Sequence, residues 1–463
     1  MAAIIALFSG FMSSSAPISD LRVNTSNRQI LSIALPISFS IFIPQINFVT
    51  NNVFLGGLGE ESLAAAGITG VFYLIFAVIG FGLNNGLQAL ISRRAGQNRV
   101  SEIGKLFIQG VYISLAFAAL GILITYLLAP YILGLALKSD VLTAKCVDFL
   151  YIRIWGLPFL YIYQMRNALL VGTNQSKYLI WGTMAETIAN IVLDYGLIYG
   201  KLGLPEIGFN GAAIASIIAE FLGMFVVFSV IEWKGISKQL GLYRDLKFNA
   251  DETRLVLVQS SPLIFQYAIS IISWEFFYVL VEHHGERALA ISNTMRNIFG
   301  IFGVFTWAFA ATANTMVSNI IGQGMQERVE ALIVSIVKLS MSFSLILCIM
   351  LNVFPQAFLA LYGQGDQFIA DAIPVLRIVS LALVIMSFAN VWLNSVTGTG
   401  NTRINLMIEV VAICFYSLYV FVVLEVYQLP ITYGWMSEWL YWGIMFTLSY
   451  MYIRSGRWKG KVI

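Results

Sequence analysis

Three polar side chains recur at every fourth position inside an otherwise apolar stretch: Glu186, Asn190 and Asp194. In a helix this spacing places them along one face over a rise of about 12 Å. Two carboxylates and a carboxamide in such a stripe can bind a proton, or a sodium ion at Asp194 and Asn190. An ionisable side chain at the centre of a bilayer costs about 2.5 to 3.5 kcal/mol, so each acid there requires a partner, water or a function. We interpret the stripe as a cation site, with a static buried polar network as the structural alternative.

A second candidate is Glu275, which lies in an apolar context 13 residues after Pro262. The alternative for this acid is an ion pair with Arg296. Asn51, near the end of the first apolar stretch, can contact an ion or hydrogen bond to a neighbouring helix. Pro36 removes a backbone donor from the same stretch, which predicts a hinge. The further acids in apolar stretches are Glu220, Glu409 and Glu438.

The chain lacks the residue patterns of catalytic sites. His283 and His284 are the only histidines, and no cysteine or carboxylate accompanies them at a zinc-ligand spacing. The three cysteines, Cys146, Cys348 and Cys414, show neither metal-ligand nor redox spacing. We therefore expect no catalytic residue, no enzymatic activity and no cofactor other than a bound proton or sodium ion.

The composition is that of a polytopic membrane protein. Of 463 residues, 59% are hydrophobic and 11% are charged, whereas soluble proteins carry about 25% charged residues. The net charge of +3 is small and no long basic stretch occurs, so nucleic acid is excluded as a partner.

The chain is also internally duplicated. Seven residues recur 226 positions later with the same identity, and most of them are glycines or residues next to glycines. They are Pro36, Gly59, Leu63, Ser92, Gly96, Gly172 and Thr173, matched by Pro262, Gly285, Leu289, Ser318, Gly322, Gly398 and Thr399. A constant offset without net insertion indicates a structural repeat. Duplicated hydrophobic modules are typical of transporters.

Twelve apolar stretches reach the length of about 20 residues that a helix needs to cross a bilayer. They predict an all-α integral membrane protein with twelve transmembrane helices in two pseudo-symmetric six-helix lobes. The predicted parts are an amino-terminal segment (1–29), a first lobe (30–233), a linker (234–255), a second lobe (256–454) and a basic tail (455–463). Segments before odd-numbered helices and after the twelfth hold 18 lysines and arginines, against four in the alternate loops. The positive-inside rule therefore places both termini and the linker in the cytoplasm.

Several segments together resemble the multidrug and toxic compound extrusion family over about residues 29 to 460. These segments are Ala34-Leu35-Pro36-Ile37, Leu58-Gly59-Glu60-Glu61-Ser62-Leu63-Ala64-Ala65, Asn190-Ile191-Val192-Leu193-Asp194, Gly211-Ala212-Ala213-Ile214-Ala215 and Gly398-Thr399-Gly400-Asn401-Thr402-Arg403. The resemblance implies two lobes around a V-shaped cavity, and export of organic, cationic amphipathic compounds by exchange against protons or sodium ions. It also implies a monomer in the cell membrane, the inner membrane of a Gram-negative cell, with a small-molecule substrate and membrane lipids as its partners.

The resemblance also implies a cation site. Related bacterial proteins use an Asp on helix one, an Asn and an Asp on helix five, and a Thr on helix six. Asn190 and Asp194 match the helix-five pair, whereas Asn51 and Ser216 occupy the other two positions. Because the first of these changes removes a carboxylate, we expect Glu186 to supply the missing charge. Glu275 matches a glutamate of eukaryotic-type members, while Ser270 stands where those members carry a second acid.

Two other functions are compatible with parts of the sequence. A lipid-linked saccharide flippase of the same superfamily would also show duplicated hydrophobic halves, but it would need several basic residues that face the cavity, such as Arg153, Arg166 and Arg377. An integral-membrane enzyme would use its acids and histidines for hydrolysis or group transfer. The pattern of acids favours the transport of cations over both.

Overall fold

The computed structural model describes residues 21–363 and 365–461, and within these ranges all regular secondary structure is helical. Residues 1–20 of the predicted amino-terminal segment and residues 462–463 of the predicted tail lie outside them. The first six long helices are α1 (Asn27–Gly56), α2 (Glu60–Gly96), α3 (Val100–Ala136), α4 (Asp140–Gly172), α5 (Leu179–Tyr199) and α6 (Phe209–Trp233). The next six are α7 (Ala250–Glu282), α8 (Glu286–Gly322), α9 (Val329–Val353), α10 (Asp366–Gly398), α11 (Thr402–Val426) and α12 (Ser437–Arg454). Short helices at Ile236–Leu240, Pro355–Ala360 and Ile431–Trp435 lie between them.

The predicted twelve-helix architecture is confirmed. Ten of the long helices in the described ranges are long and apolar enough to cross a membrane. The other two are α5, with 21 residues including the predicted polar stripe, and α12, with 18 residues. The helices extend beyond the apolar stretches because their polar ends stay helical: α2, predicted from about residue 66, begins at Glu60 and ends with Arg93 and Arg94 in its last turn.

Local sequence signals start several helices. Ser26, Ser139 and Asn249 accept hydrogen bonds from backbone N–H groups in the first turns of α1, α4 and α7, which satisfies donors that the helix itself leaves free. Gly59 and Gly285 precede α2 and α8 with φ angles of 100° and 95°. That backbone conformation favours glycine, which explains why this pair survives in both copies of the repeat. The helix α1 continues through Pro36 and Pro44, so the hinge at Pro36 stays a prediction.

The two lobes, α1–α6 and α7–α12, meet along α2, where α7 and α8 pack against it. Two of the hydrogen bonds across this interface are reciprocal. The Ser92 hydroxyl donates to the carbonyl of Thr315 at 2.7 Å, and the Ser318 hydroxyl donates to the carbonyl of Ala89 at 2.6 Å. Each residue of the first bond lies 226 positions from its counterpart in the second. The repeat seen in the sequence is therefore a pseudo-two-fold symmetry of the interface.

Several hydrogen bonds between the lobes lie where α2 and α8 end. Arg93 donates to the carbonyl oxygens of Ser318 at 3.0 Å and Gly398 at 3.1 Å. The backbone nitrogen of Val23 donates to Asn319 Oδ1 at 3.1 Å, which ties the segment before α1 to α8. At the opposite end, among the described residues, no hydrogen bond joins residues 61–80 of α2 or 286–306 of α8 to the other lobe. The hydrogen bonds between α2 and the other lobe thus lie between the middle of this helix and its carboxyl end.

Candidate cation site in the amino-terminal lobe

Four polar side chains from three helices meet around the amide of Asn190. In the amide orientation that satisfies its partners, Nδ2 lies 3.1 Å from Asp194 Oδ2 and 2.7 Å from Asn47 Oδ1 of α1. The amide oxygen then faces Ser216 of α6, 3.2 Å from its backbone nitrogen. Asn190 and Asp194 are buried, at 2% and 0% exposure. The structure therefore brings together three of the residues singled out from the sequence: Asn190, Asp194 and Ser216.

Helix α1 contributes Asn47 to this cluster, a residue that sequence reasoning did not single out. Asn51, the predicted helix-one residue, lies one turn further along the same helix, is half-buried, and has a buried Oδ1 atom without a hydrogen-bond partner. The i, i+4 spacing places both amides on one face of α1. The spacing of Asn47 and Asn51 was visible in the sequence. Burying a neutral amide costs less free energy than burying an acid, so an asparagine in an apolar stretch is a weaker signal of function.

Asp194 is the only acid in this cluster, and it has unused capacity to bind a cation. Its Oδ1 atom is buried without a hydrogen-bond partner, and the residue forms no ion pair with any other described residue. Burying a carboxylate away from water is costly unless it is paired, hydrogen-bonded or neutralised. Carboxylate, amide and hydroxyl oxygens are ligands suited to hard cations, and a proton on Asp194 removes the charge altogether. Elsewhere in residues 21–363 and 365–461, no three His, Cys, Asp or Glu side chains group as a metal site.

Glu186, the remaining member of the stripe, faces a different neighbourhood on α6. A Cβ atom at Gly223 would lie 2.9 Å from Glu186 Cβ and 3.0 Å from its Oε2, so the glycine makes room for this carboxyl. Three residues earlier on α6, Glu220 pairs with Arg153 of α4 through two bonds, Nη2 to Oε1 at 2.6 Å and Nη1 to Oε2 at 2.9 Å. The Arg153 guanidinium also stacks 3.8 Å from the ring of Tyr73. Arg153 thus neutralises Glu220, and the neighbouring Glu186 has no hydrogen bond or ion pair with another described residue.

In the second lobe, Glu275 lies half-buried on α7. It makes no hydrogen bond or ion pair with any other described residue. The predicted alternative partner, Arg296 of α8, instead lies 5.4 Å from the ring centres of both Trp274 and Tyr278. The ion pair offered as the structural explanation for Glu275 is therefore not formed.

Comparison with known proteins places the chain in a family. The MatE family model matches it twice, over residues 36–196 and 262–422. The two matches begin 226 residues apart and end 226 residues apart, which is the offset of the repeat. Together they cover more than half of the chain.

Individual proteins resemble the chain over most of its length. It is 23% identical over 396 residues to the Probable multidrug resistance protein NorM of Synechocystis sp., which covers 83% of this chain and 85% of that protein. A crystal structure of a MATE transporter from Vibrio cholerae superimposes with a TM-score of 0.86 at 19% identity, covering 94% of this chain and 98% of the other. A multidrug resistance MATE family transporter in an outward-facing conformation gives a TM-score of 0.83 at 17% identity, with 94% and 96% covered. With its twelve helices, its two lobes and the doubled match, the chain belongs to the MatE family of membrane transporters.

Proposed function

We propose that the protein exports organic cations by exchange against protons or sodium ions that bind at Asp194. The observation that carries this proposal is the buried cluster of Asn47, Asn190, Asp194 and Ser216, in which one carboxylate oxygen has no partner. A buried carboxylate of this kind is more stable when a cation neutralises it. It therefore favours the state of the transporter in which the cation is bound.

Coupling requires that the cation binds one access state more tightly than the other, since equal affinity would shift no population. The present structure is closed at the end where Arg93 crosses the interface. The positive-inside rule assigns this end to the cytoplasm, so the cluster would be loaded from outside. Cation binding would then draw α1, α5 and α6 together around Asp194 and change how the amino-terminal lobe holds its substrate.

The proposed substrate class follows from the charge of the half-buried acids. Glu186 and Glu275 each lie in a membrane-spanning helix without a cationic partner of their own. They would therefore attract cations to the space between the lobes. Relatives that carry the name multidrug resistance protein support organic compounds as the cargo.

The arrangement of the arginines does not favour a flippase for anionic lipid-linked saccharides. Glu220 balances the charge of Arg153. Arg166 donates to the carbonyl of Met224 at 2.6 Å, and Arg377 is exposed on α10. Of the three, Arg153 is balanced by an acid and Arg377 is exposed, so Arg166 alone is a partly buried arginine without an ion pair among the described residues. A pyrophosphate group would need several such charges.

The proposal is tested by transport in liposomes that contain the purified protein. A proton gradient or a sodium gradient is imposed separately, with a fluorescent organic cation as cargo. We expect one of the gradients to drive uphill movement of the dye, Asp194→Asn to abolish it, and Glu206→Gln, which changes an exposed acid in the loop after α5, to leave it unchanged. Undiminished gradient-driven transport by folded Asp194→Asn would contradict the proposal.

The role proposed for Glu186 needs a separate comparison. If this acid supplies the second charge of the site, Glu186→Gln should weaken coupling while leaving residual transport through Asp194. Transport by Glu186→Gln and Asp194→Asn is therefore compared under the gradient that drives the native protein. Full activity of Glu186→Gln would restrict the site to Asp194 and its amide partners.

A further inference from the structure

A second buried acid lies in the carboxyl-terminal lobe, outside the cluster around Asp194. Glu409 of α11 is 1% exposed. Gln266 Nε2 of α7 donates to its Oε2 at 3.1 Å, and the hydroxyls of Ser270 and Tyr441 donate to its Oε1. No described lysine, arginine or histidine forms an ion pair with this carboxyl. Among the described residues, this buried carboxyl thus accepts hydrogen bonds from neutral donors alone.

The partners of Glu409 can accommodate both a charged and a neutral carboxyl. A hydroxyl group donates one hydrogen bond and also accepts, and a carboxamide carries both a donor and an acceptor. When the carboxyl is protonated, one of these side chains can therefore reorient to accept its single O–H, while the other two continue to donate. A buried arginine or lysine would instead hold the acid in its charged form.

The titratable groups that face Glu409 are few. Tyr267 of α7 lies on one side, and on α12 Tyr441 lies next to the carboxyl with Glu438 beyond it. Glu438 itself accepts a hydrogen bond from Trp442 Nε1 at 3.0 Å. None of these groups is a cation, so a proton is the available means of neutralising Glu409 in this conformation.

The cluster also adjoins the interface between the lobes. Between the two α7 residues that hold Glu409, Gln266 and Ser270, lies Tyr267. Its hydroxyl accepts a hydrogen bond from Asn85 Nδ2 of α2 at 2.8 Å. Four residues before Gln266, Pro262 removes a backbone hydrogen bond from α7, which makes this segment easier to distort. A change in the hydrogen bonds to Glu409 therefore acts on the segment of α7 that contacts the other lobe.

We propose that Glu409 is a proton-binding site of the carboxyl-terminal lobe, and that gain or loss of its proton alters how α7 contacts α2 at Tyr267. We assign the site to a proton because a single carboxyl supplies one negative charge, which one proton neutralises. Its part in transport rests on the proposed function, whereas the binding of a proton at Glu409 does not. The site has no counterpart in the first lobe, where the equivalent residue 226 positions earlier is Thr183.

Infrared difference spectroscopy on the purified protein, between acidic and alkaline pH, tests the site directly. A protonated carboxylic acid has a C=O stretch that a carboxylate and a carboxamide lack. We expect a band in the native spectrum that Glu409→Gln loses and that Glu425→Gln, which changes an exposed acid on the same helix, retains. Ser270→Ala should move this band to higher frequency, because the carbonyl loses a hydrogen-bond donor. Identical difference spectra for the native protein, Glu409→Gln and Ser270→Ala would overturn the proposal.

Two further controls separate the possible failures. Glu409→Asp keeps a carboxyl and should retain a band at a shifted frequency, so it tests the site if Glu409→Gln does not fold. Dye transport by native protein in liposomes is measured in parallel. Loss of the band in Glu409→Gln, together with no gradient-driven dye transport by native protein, would support the proton site and contradict the proposed antiport function.

Discussion

At the scale of single residues, the amino-terminal lobe places one guanidinium beside two acids. Arg153 is bound through two bonds to Glu220 and stacks on Tyr73, and both ionic side chains are largely buried, with exposures of 13% and 8%. Glu186 approaches the same region from α5 without a cation of its own. Because removing one partner of a buried ion pair leaves the other charge uncompensated, the pair is a sensitive point for stability.

We expect Arg153→Gln to destabilise the protein by about 3 to 5 kcal/mol, since Glu220 would remain buried and unpaired. The double change Arg153→Gln with Glu220→Gln should recover most of this loss. Unfolding of the purified protein in detergent measures both. Equal stability of native protein and Arg153→Gln would show that Glu220 is already neutral, and would contradict the ion pair.

The residue scale is also where sequence reasoning is most limited. The i, i+4 pattern of α5 identified Asn190 and Asp194 because both lie on one helix, and the family resemblance added Ser216. Contacts between helices could not be deduced in this way. Asn47 reaches Asn190 from α1, and Ser270, noted in the sequence only because it is not an acid, hydrogen bonds to Glu409 of α11. Such pairs depend on helix rotation and packing, which spacing along one chain segment does not determine.

At the scale of elements, an ion pair joins the turn after α7 to the end of α11. His283 Nδ1 lies 2.8 Å from Glu425 Oε2, and both side chains are exposed. The hydrogen bond to Glu425 raises the pKa of His283 above its ordinary value of 6.5. Because the folded state holds the proton more tightly, this contact stabilises the protein at low pH, and the contribution is lost as the pH rises through the folded pKa.

We therefore expect His283→Gln to lower the melting temperature slightly at about pH 5, where the imidazole is charged in both states, and to have no effect at about pH 9. Glu425→Gln should show the same dependence on pH, because it removes the other half of the pair. Melting of the purified variants across this range is the measurement. A shift of equal size at both pH values would contradict a contribution from the charged histidine.

The elements themselves were largely predictable from the sequence. Apolar stretches of sufficient length predicted all twelve helices, since a membrane span must satisfy its backbone hydrogen bonds internally. Their ends were less predictable, because the helices continue past the apolar stretches into polar turns, as at Arg93 and Arg94 of α2. The change to a tighter helix at Ile154–Gly156 within α4 was not visible in the sequence, because it depends on the packing of the helix.

At the scale of the whole molecule, the two lobes share a fold and differ in their chemistry. The positions that match Asn190 and Asp194 in the second lobe are Tyr416 and Val420. The symmetric parts are the glycines that precede α2 and α8, the glycines Gly96 and Gly322 where these helices approach each other, and the reciprocal bonds of Ser92 and Ser318. Both copies need them for packing. Because the ionisable groups are not duplicated, a cation that binds to one lobe should change the conformation of that lobe and move it relative to the other.

The two lobes approach each other closely at a glycine near the middle of α2. A Cβ atom at Gly82 would lie 2.6 Å from the backbone nitrogen of Ile264. Gly82→Val should therefore push α2 away from α7, at a cost of about 1 to 3 kcal/mol. This cost corresponds to about a 5- to 150-fold increase in the population in which the lobes are separated. Gly67→Val on the same helix, where no atom lies within 4 Å, is the matched control.

Alkylation of a cysteine introduced at Ser318 measures this opening, in a variant without the three native cysteines. Ser318 is fully buried at the interface, so its reactivity reports separation of the lobes. We expect faster alkylation with Gly82→Val and an unchanged rate with Gly67→Val. Equal rates in all three backgrounds would mean that the interface tolerates the added side chain.

We expect a proton or sodium ion at Asp194 and the organic cation to influence each other's binding. Linkage requires this influence to be reciprocal, so it can be measured without a membrane gradient as the affinity of purified protein for a fluorescent organic cation across pH and sodium concentration. For native protein we predict that the dye affinity falls by about tenfold or more as the coupling ion saturates its site, which corresponds to about 1.4 kcal/mol of coupling. Folded Asp194→Asn should bind the dye with an affinity that no longer depends on that ion. An equal dependence on the ion in Asp194→Asn and the native protein would contradict coupling through Asp194.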